Sequence, residues 1–517
     1  MYMNFIKKTI ACLLAVATLA ACKDFDELEE NQNLPTEVPA SLLLNGALND
    51  LFEDSWTEAQ RQNQYWCCNY NYYGTNEYWA SATLNYQTLK NLGKMEDEAL
   101  RAGAEEVNPY SAIGKYLRAV FYTRMTQRVG DVPQSEALLG LENPAPTYDS
   151  QRDVYVQILN WLEEANTELA SLNAASDRSL GGDFYFNNDL EKWQKAVNTL
   201  KVRILISLSK KTSDTELNVQ QRFAAVLADP AKYPLMTSLD DNMEYRFNGT
   251  SNLYNTNPGS RGFDKGRYNM AEMLIKSLTD LKDPRVYLFA NPAEKKVSGG
   301  LAPTDFNAFV GAPSGESLDN MTFKAGNGEY SFANQKRYYT TFTGPEPTIQ
   351  IGYPELCFNI AEGLHRGWAA GDAETWYTKG ITASMKFYGL EDGVSVEITE
   401  PDADEVLATT TVSITNYLAQ SSVKYAGKND AGLKQILTQK YLAFFQNSGQ
   451  EAYFNYRRTG VPAFNEGPGT GNGGHIPRRW LYPLSEATNN TANYNDALSR
   501  QFGSTVDDLD SELWIEQ

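Results

Sequence analysis

The sequence predicts an all-α protein whose helices pack in pairs and are joined by long polar loops. Apolar residues recur every three or four positions in several segments, which is the spacing of a helix with one buried face. Long stretches rich in glycine, asparagine and proline separate these segments, at 246–269, 291–350, 390–415 and 459–479. Branched apolar residues between 394 and 413 predict one small hairpin, so we expect at most small β hairpins among the strands.

Five segments carry the helical spacing. One begins after Ser150, a residue type that caps helix amino termini, and has Asp153 in its first turn. Because an apolar stripe needs another to cover it, paired helices are the expected packing. Tryptophan and alanine positions in these segments resemble tetratricopeptide helix pairs without the full repeat signature. The five stripes span 154–169, 193–208, 356–364, 373–387 and 433–444.

The amino terminus has the features of a secretory signal peptide. Two lysines precede an apolar run that is too short to cross a bilayer and ends in Leu19-Ala20-Ala21-Cys22. This ending resembles a bacterial lipobox, in which the cysteine is acylated and the leader removed; the alternative is an ordinary cleaved signal with a chance cysteine. We predict lipidation of Cys22 and three regions: a signal peptide at 1–21, an acylated tether at 22–40 and a single helical domain at 41–517.

The acidic composition restricts the partners. The 517-residue chain has a net charge of −20, which argues against nucleic acid and anionic membrane surfaces. Polyanionic ligands are also disfavoured unless a local basic patch overrides the global charge. Once the leader and Cys22 are set aside, only Cys67, Cys68 and Cys357 remain, which is not a disulfide framework.

The sequence contains no compact catalytic motif. The two histidines lie outside any zinc-binding spacing, and no G-x-S-x-G turn occurs. Glu355 and Glu362 lie two helical turns apart, and we interpret them as ion-pairing or capping residues, with a glycosidase pair as the alternative. Asp240-Asp241-Asn242 lacks the spacing of a calcium loop and predicts a turn. We predict no enzyme activity, no cofactor and no metal; a structural calcium ion remains open but is not predicted.

Aromatic residues give the densest functional signal. Seven of them lie between positions 65 and 79, interleaved with asparagines. Aromatic faces stack on the apolar faces of sugar rings, and asparagine amides exchange hydrogen bonds with hydroxyl groups. Packing between helices is the alternative role for these rings. The candidate ligand-binding residues are Trp66, Tyr70, Asn71, Tyr72 and Tyr73, with Tyr254, Arg267 and Tyr268 in a second loop.

Several short motifs, taken in order behind the lipobox, resemble a known family. The motifs are Val129-Gly130-Asp131-Val132-Pro133, Leu200-Lys201-Val202-Arg203, Asp283-Pro284-Arg285, Tyr456-Arg457-Arg458-Thr459-Gly460-Val461-Pro462 and Arg479-Trp480-Leu481-Tyr482-Pro483. Together they resemble the SusD/RagB family of nutrient-binding outer-membrane lipoproteins, in its SusD-like subgroup. Tyr441 and Tyr456 depart from the family pattern, where tryptophan is commoner.

The resemblance implies a fold and a function. It implies tetratricopeptide-like helix pairs with a loop-rich ligand face, anchored at the cell surface by lipid on the outer membrane. It also implies that the protein captures glycans or oligosaccharides and passes them to a SusC-like TonB-dependent transporter barrel without breaking a bond. Ligand contacts vary within the family, so the resemblance names no site residue. The alternatives are a peptide-capturing member of the same family and a surface glycosidase.

Overall fold

A computed structural model describes residues 37–401 and 405–517. This part of the chain is mostly helical, and its strands form only two-stranded sheets, which confirms the predicted fold class. The predicted signal peptide, Cys22 and most of the predicted tether lie outside the described residues.

The helices and strands follow one another along the whole described chain. The α-helices are α1 (Ala40–Leu51), α2 (Glu58–Gln62), α3 (Tyr86–Arg101), α4 (Pro109–Val129), α5 (Gln151–Ala174), α6 (Leu190–Ser207), α7 (Val219–Ala228), α8 (Arg261–Asp264), α9 (Glu272–Asp280), α10 (Val286–Phe289), α11 (Glu294–Ser298), α12 (Leu318–Gly326), α13 (Gln335–Tyr338), α14 (Tyr353–His365), α15 (Ala373–Phe387), α16 (Ile414–Ala419), α17 (Asp430–Ala443), α18 (Glu451–Thr459), α19 (Leu484–Asn489) and α20 (Thr491–Phe502). The strands are β1 (Trp66–Cys68), β2 (Met243–Tyr245), β3 (Tyr268–Met270), β4 (Thr348–Ile351), β5 (Ser395–Thr399) and β6 (Val406–Thr411).

The long helices form one continuous body. Helices α3 to α6 each pack on the next, α6 packs on α14, and α14 packs on both α15 and α17. The side chain of Ser150 accepts a hydrogen bond from the Asp153 amide, so the predicted cap of α5 is confirmed. The five predicted stripes lie on α5, α6, α14, α15 and α17, and their central residues are buried in one core. Sequence spacing therefore located the helical body correctly.

Buried ion pairs connect the layers of this body. Arg203 of α6 donates to Glu355 of α14 at 2.7 Å, and Arg458 of α18 donates to Glu362 of α14 at 2.9 Å. Arg366 donates to the same Glu362 carboxylate at 3.0 Å. Burial acts to raise the pKa of Glu362, but the charges of Arg458 and Arg366 outweigh it and lower that pKa to about 2. Both candidate glycosidase carboxylates are therefore engaged in structural ion pairs, as the sequence indicated.

Within residues 37–401 and 405–517, three antiparallel sheets accompany the helical body. They pair β1 with β3, β2 with β4, and β5 with β6. The β5–β6 pair confirms the hairpin predicted between 394 and 413. The stretch at 291–350 is more ordered than its composition indicates, because it contains α11, α12, α13 and most of β4. None of these elements exceeds nine residues, which is too short for a helical period to show in the sequence.

The remaining local expectations are also answered. Asp240 and Asp241 lie in a turn of 3-10 helix, and Lys195 pairs with Asp241 at 2.8 Å. Cys67, Cys68 and Cys357 are buried free thiols. Among residues 37–401 and 405–517, no helix combines the length and hydropathy of a membrane span.

Removing Arg458, one of the two ion-pair partners of Glu362, should destabilise the helical body. Arg458→Ala leaves the buried Glu362 carboxylate with one ion-pair partner, Arg366, so we expect the free energy of unfolding to fall by about 3 kcal/mol in chemical denaturation. Lys276→Ala breaks an ion pair exposed on both sides and should cost less than about 1 kcal/mol.

The same pair sets a pH dependence. Glu362 stabilises the fold above its ordinary pKa of 4.5, and this stabilisation is lost as the pH falls from there to about 2. Arg458→Ala should weaken the loss of stability across that window. Equal stability of Arg458→Ala and Lys276→Ala would contradict this account of Glu362.

Candidate functional site

The candidate site rests on a largely buried segment near the amino terminus, which hydrogen-bonds to residues of the carboxyl-terminal part of the chain. We call residues 56–66 the anchoring segment. The side chain of Asn63 donates from Nδ2 to the Gly449 carbonyl at 2.7 Å, and its Oδ1 accepts from the Tyr453 backbone amide at 3.0 Å. The side chain of Gln64 donates from Nε2 to the Asn465 backbone carbonyl at 2.8 Å, and its Oε1 accepts from the Asn465 backbone amide at 2.7 Å. Each side chain therefore satisfies a buried donor and a buried acceptor at once, which fixes the segment in place.

Aromatic residues complete this anchor. The Tyr65 hydroxyl donates to the Tyr441 carbonyl at 2.6 Å, and the two rings stack with centroids 4.7 Å apart. The Trp56 indole donates to the Tyr254 hydroxyl at 3.1 Å. These ring contacts and hydrogen bonds together hold the anchoring segment in place, so strand β1 begins from a fixed position.

Two of the predicted ligand-binding residues belong to this base. Trp66 is 2% exposed and Tyr254 is 1% exposed, so neither ring faces solvent. Trp66 packs on Tyr268 with ring centroids 4.4 Å apart, and the buried Trp56 ring packs against Trp66 with centroids 6.3 Å apart. The expectation that Trp66 and Tyr254 contact ligand is therefore corrected: both support the surface from below, because the core claims their apolar area.

The sheet formed by β1 and β3 brings the two predicted loops together. Cys68 pairs with Tyr268 in the antiparallel register. Beyond the sheet, the Asn69 amide donates to the Arg267 carbonyl at 3.1 Å, and the Asn69 side chain donates to Asn269 at 2.7 Å. Segments about 200 residues apart in sequence thus form one surface.

A single asparagine closes the loop that carries the tyrosines. The Asn76 side chain accepts from the Cys68 amide and donates to the Cys68 carbonyl, both at 2.8 Å. Gly74 has φ of +121°, and a Cβ atom there would lie 2.6 Å from the Arg61 guanidinium. The loop at 69–75 therefore needs glycine at this position, and Arg61 lies directly beneath it.

The loop presents a set of rings to solvent. Tyr72 is 82% exposed and Tyr70 is 45% exposed, in and beside a 3-10 turn at Asn71–Tyr73. The Tyr72 and Tyr73 rings lie nearly perpendicular with centroids 5.2 Å apart. The Arg267 guanidinium lies over the Tyr70 ring, 4.9 Å from its centroid. We call Tyr70, Asn71, Tyr72, Tyr73, Arg267 and Tyr268 the aromatic surface; six of the eight predicted residues thus share one site.

Three further exposed rings escaped sequence reasoning, and two of them, Phe263 and Phe323, lie in segments next to this surface. Phe263 and Phe323 are largely exposed, and Phe342 is partly exposed. Phe263 lies on α8 just before Arg267, and Phe323 follows Thr322, whose hydroxyl contacts the Asn69 carbonyl. The Phe342 carbonyl accepts from the Tyr254 amide at 2.8 Å. Their only signal in the sequence was a place within the long loops at 246–269 and 291–350, because a single phenylalanine usually indicates a core residue.

The chemistry available at this surface is stacking and hydrogen bonding. Burial raises the pKa of the Cys67 thiol to about 12, so this nearby sulfur stays protonated and unreactive at neutral pH. Burial also raises the pKa of Cys68, against the lowering effect of Arg61. The described residues contain no group of three or more His, Cys, Asp or Glu side chains placed to hold a metal ion. The surface offers aromatic faces, amides, phenols and one guanidinium.

Two open cavities lie elsewhere on the molecule. One of about 580 Å³ lies between the β5–β6 hairpin and residues 334–345, with Lys336, Arg337 and Glu397 among its lining residues. Another of about 730 Å³ is lined by Tyr456, His475 and Arg478 among others. Neither includes a ring of the aromatic surface, so they are separate candidate sites.

Comparison with known proteins agrees with this architecture. A SusD-like family model, described as "Starch-binding associating with outer membrane", matches residues 32–483. A SusD homologue from Bacteroides fragilis has 29% identity and a TM-score of 0.81, covering 93% of this chain and 100% of that chain. An outer-membrane protein from Bacteroides vulgatus, whose description proposes nutrient binding, has 29% identity and a TM-score of 0.77 over the same shares.

A more distant structure shares the fold alone. It is a chitin-binding SusD homologue from Flavobacterium johnsoniae, at 20% identity and a TM-score of 0.67, covering 92% of this chain and 98% of that chain. Among curated proteins, none matches the sequence significantly. The family resemblance read from the motifs is therefore confirmed.

Asn76→Ala should loosen the loop that carries the tyrosines. The change leaves the buried amide and carbonyl of Cys68 without partners, which typically costs about 1–3 kcal/mol. We expect faster hydrogen exchange of the Cys68 amide and of residues 69–75. Asn71→Ala, at an exposed position on the same loop, is the matched control and should leave exchange at Cys68 unchanged. Identical exchange in the two variants would show that Asn76 does not hold the loop.

Proposed function

The chain belongs to the SusD-like family, and from that premise we propose that it captures glycans at the cell surface without cleaving them. The observation that carries this proposal is the aromatic surface, where Tyr72 is 82% exposed on a loop fixed by Asn76. A group of neighbouring exposed rings indicates an interaction site, whereas a single exposed apolar side chain does not. The family description names starch binding, and one relative is described as chitin-binding, which supports a glycan as ligand.

Binding on such a surface follows from simple physical chemistry. The apolar face of a pyranose covers a tyrosine ring and releases water from both, while Asn71 and Arg267 exchange hydrogen bonds with hydroxyl groups. The surface is open rather than enclosed, so each sugar ring buries only part of its area. We expect modest affinity per ring and rapid release, which suits a protein that passes its ligand on.

The chain's amino terminus supports a place at the outer membrane. In this proposal, acyl chains on Cys22 hold the protein at the outer leaflet, since each buried methylene contributes about 0.8 kcal/mol. The 18 residues from 22 to 39 could reach at most about 60 Å if fully extended. This reach allows the domain to deliver glycan to a SusC-like TonB-dependent transporter barrel beside it.

Alanine at Tyr70, Tyr72 and Tyr73 together should abolish glycan binding. The single change Tyr72→Ala should lower affinity about two- to tenfold, and Tyr72→Phe should retain most of it, because stacking needs the ring and not the hydroxyl. The measurement is isothermal titration with starch and chitin oligosaccharides, followed by recovery of the ligand intact.

Leu141→Ala is the control for this series, because Leu141 is an exposed apolar side chain outside the aromatic surface. Wild-type affinity in the triple variant would remove the aromatic surface from the proposal. Retention of peptides in place of glycans would point to the peptide-binding alternative, and cleaved product would point to the glycosidase.

Cys22→Ala should detach the protein from the outer membrane. Wild type should incorporate labelled palmitate, fractionate with the outer membrane and co-purify with a large barrel after mild detergent extraction. Cys22→Ala should lose the label and appear in soluble fractions, whereas Cys12→Ala, within the leader, should behave as wild type. Unlabelled wild-type protein would contradict the anchor, and labelled protein without a barrel would contradict the proposed partner.

A further inference from the structure

We propose that the aromatic surface selects acidic glycans, with Arg267 as the residue that binds a sugar carboxylate. This inference rests on the proposed function and names the class of ligand. It concerns a local positive site on a chain whose net charge is −20.

Hydrogen bonds at its backbone carbonyl and its backbone amide hold Arg267 in place. Its carbonyl accepts from the Asn69 amide at 3.1 Å, and its own amide donates to the Asp264 carbonyl at 2.8 Å. Its guanidinium lies over the Tyr70 ring, 4.9 Å from the centroid. A guanidinium placed over an aromatic ring keeps its in-plane N–H groups available at its edge.

The charge of Arg267 is not neutralised by an acid of the described residues, whereas the buried arginines of the core are paired. Arg285 pairs with Asp283, Arg337 with Glu346 and Arg479 with Asp507. No carboxylate of the described residues lies within ion-pair distance of the Arg267 guanidinium. What distinguishes Arg267 from an exposed arginine such as Arg178 is its position over Tyr70 in the aromatic surface, where a bound ligand can supply the negative charge.

Arg61, Glu58 and Asp264 are further ionisable groups around the tyrosine loop. Arg61 lies beneath Gly74, and its nearest acid is Glu58, an exposed side chain 3.5 Å away. Asp264, the acid nearest to Arg267 in sequence, is buried, and burial raises its pKa against hydrogen bonds from Tyr339 and Ser260. Glu58 balances the charge of Arg61, so the positive charge that this loop offers to a ligand is that of Arg267.

A hexuronate fits this arrangement better than a neutral hexose. Its ring can cover Tyr72 or Tyr73, while its carboxylate accepts two parallel hydrogen bonds from the Arg267 edge. A neutral sugar offers only hydroxyl groups there and forms weaker hydrogen bonds. Because the rest of the chain repels anions, binding should weaken steeply as salt screens this local attraction.

The experiment compares polymers that differ only in charge. Polygalacturonate, alginate, glucuronoxylan and chondroitin are each paired with their carboxyl-reduced forms, and retardation in affinity gels is measured for wild type, Arg267→Gln and Arg178→Gln. Arg178 is an exposed arginine in the connection between α5 and α6 and serves as the matched control. Hydrogen bonds to charged groups predict that wild type binds at least one acidic polymer about tenfold more tightly than its reduced form.

The substitution arm isolates the carboxylate contact. Arg267→Gln should lose this preference and the salt dependence, because its loss of affinity should be about tenfold larger toward the acidic form than toward the reduced form, and Arg178→Gln should match wild type. An equal loss toward both forms would mean that Arg267 only supports the loop and would overturn the inference.

The remaining outcomes separate this inference from the proposed function. Equal binding of acidic and reduced polymers by wild type, or binding of neutral starch and chitin alone, overturns the acidic preference and leaves glycan capture intact. Absence of binding to every polymer overturns both.

Discussion

Buried polar groups between residues 56 and 66 are the constraint on which the aromatic surface depends. This segment passes through the core, so its backbone donors and acceptors, and those it meets, need partners there. Asn63 and Gln64 supply them by pairing with the backbone near residues 449, 453 and 465. Strand β1 follows directly, which is why the surface loop starts from a fixed position.

The rest of the molecule divides into a body that stabilises and loops that bind. Ion pairs such as Arg203 with Glu355 join helices from distant parts of the sequence, and apolar stripes fill the space between them. Loops held on such a body can expose tyrosines without moving, so little conformational entropy is lost when a ligand arrives. The binding residues can then change without disturbing the fold, since Tyr70 and Tyr72 contribute little to the core.

Sequence reasoning located the body well because its helices are long. Helix α5 needed only a capping serine and a stripe of period 3.6, and α6 only its tryptophan and leucines. Short elements such as α12 carried no comparable signal. At the site, the aromatic cluster was visible in the sequence, but the burial of its members was not. Trp66 and Tyr72 both belong to the cluster, and only the packing of β1 on the core distinguishes the buried ring from the exposed one.

Pairing between distant segments was also invisible in the sequence. Nothing in residues 254–268 indicates that Tyr268 faces Cys68, since the register of a three-residue sheet depends on backbone partners and not on a pattern. The same limit hid Phe263 and Phe342, which look like core residues until their surroundings are known. Spatial proximity was therefore the main information that the structure added to the candidate residues.

The most direct test of the account is a crystal structure of the protein with a bound oligosaccharide from the tightest-binding glycan. The account predicts a sugar ring stacked against Tyr72 or Tyr73 and within hydrogen-bonding distance of Arg267, on a loop that keeps the Asn76 contacts with Cys68. A sugar found instead in the 580 Å³ cavity beside the β5–β6 hairpin, with the tyrosines uncovered, would contradict it.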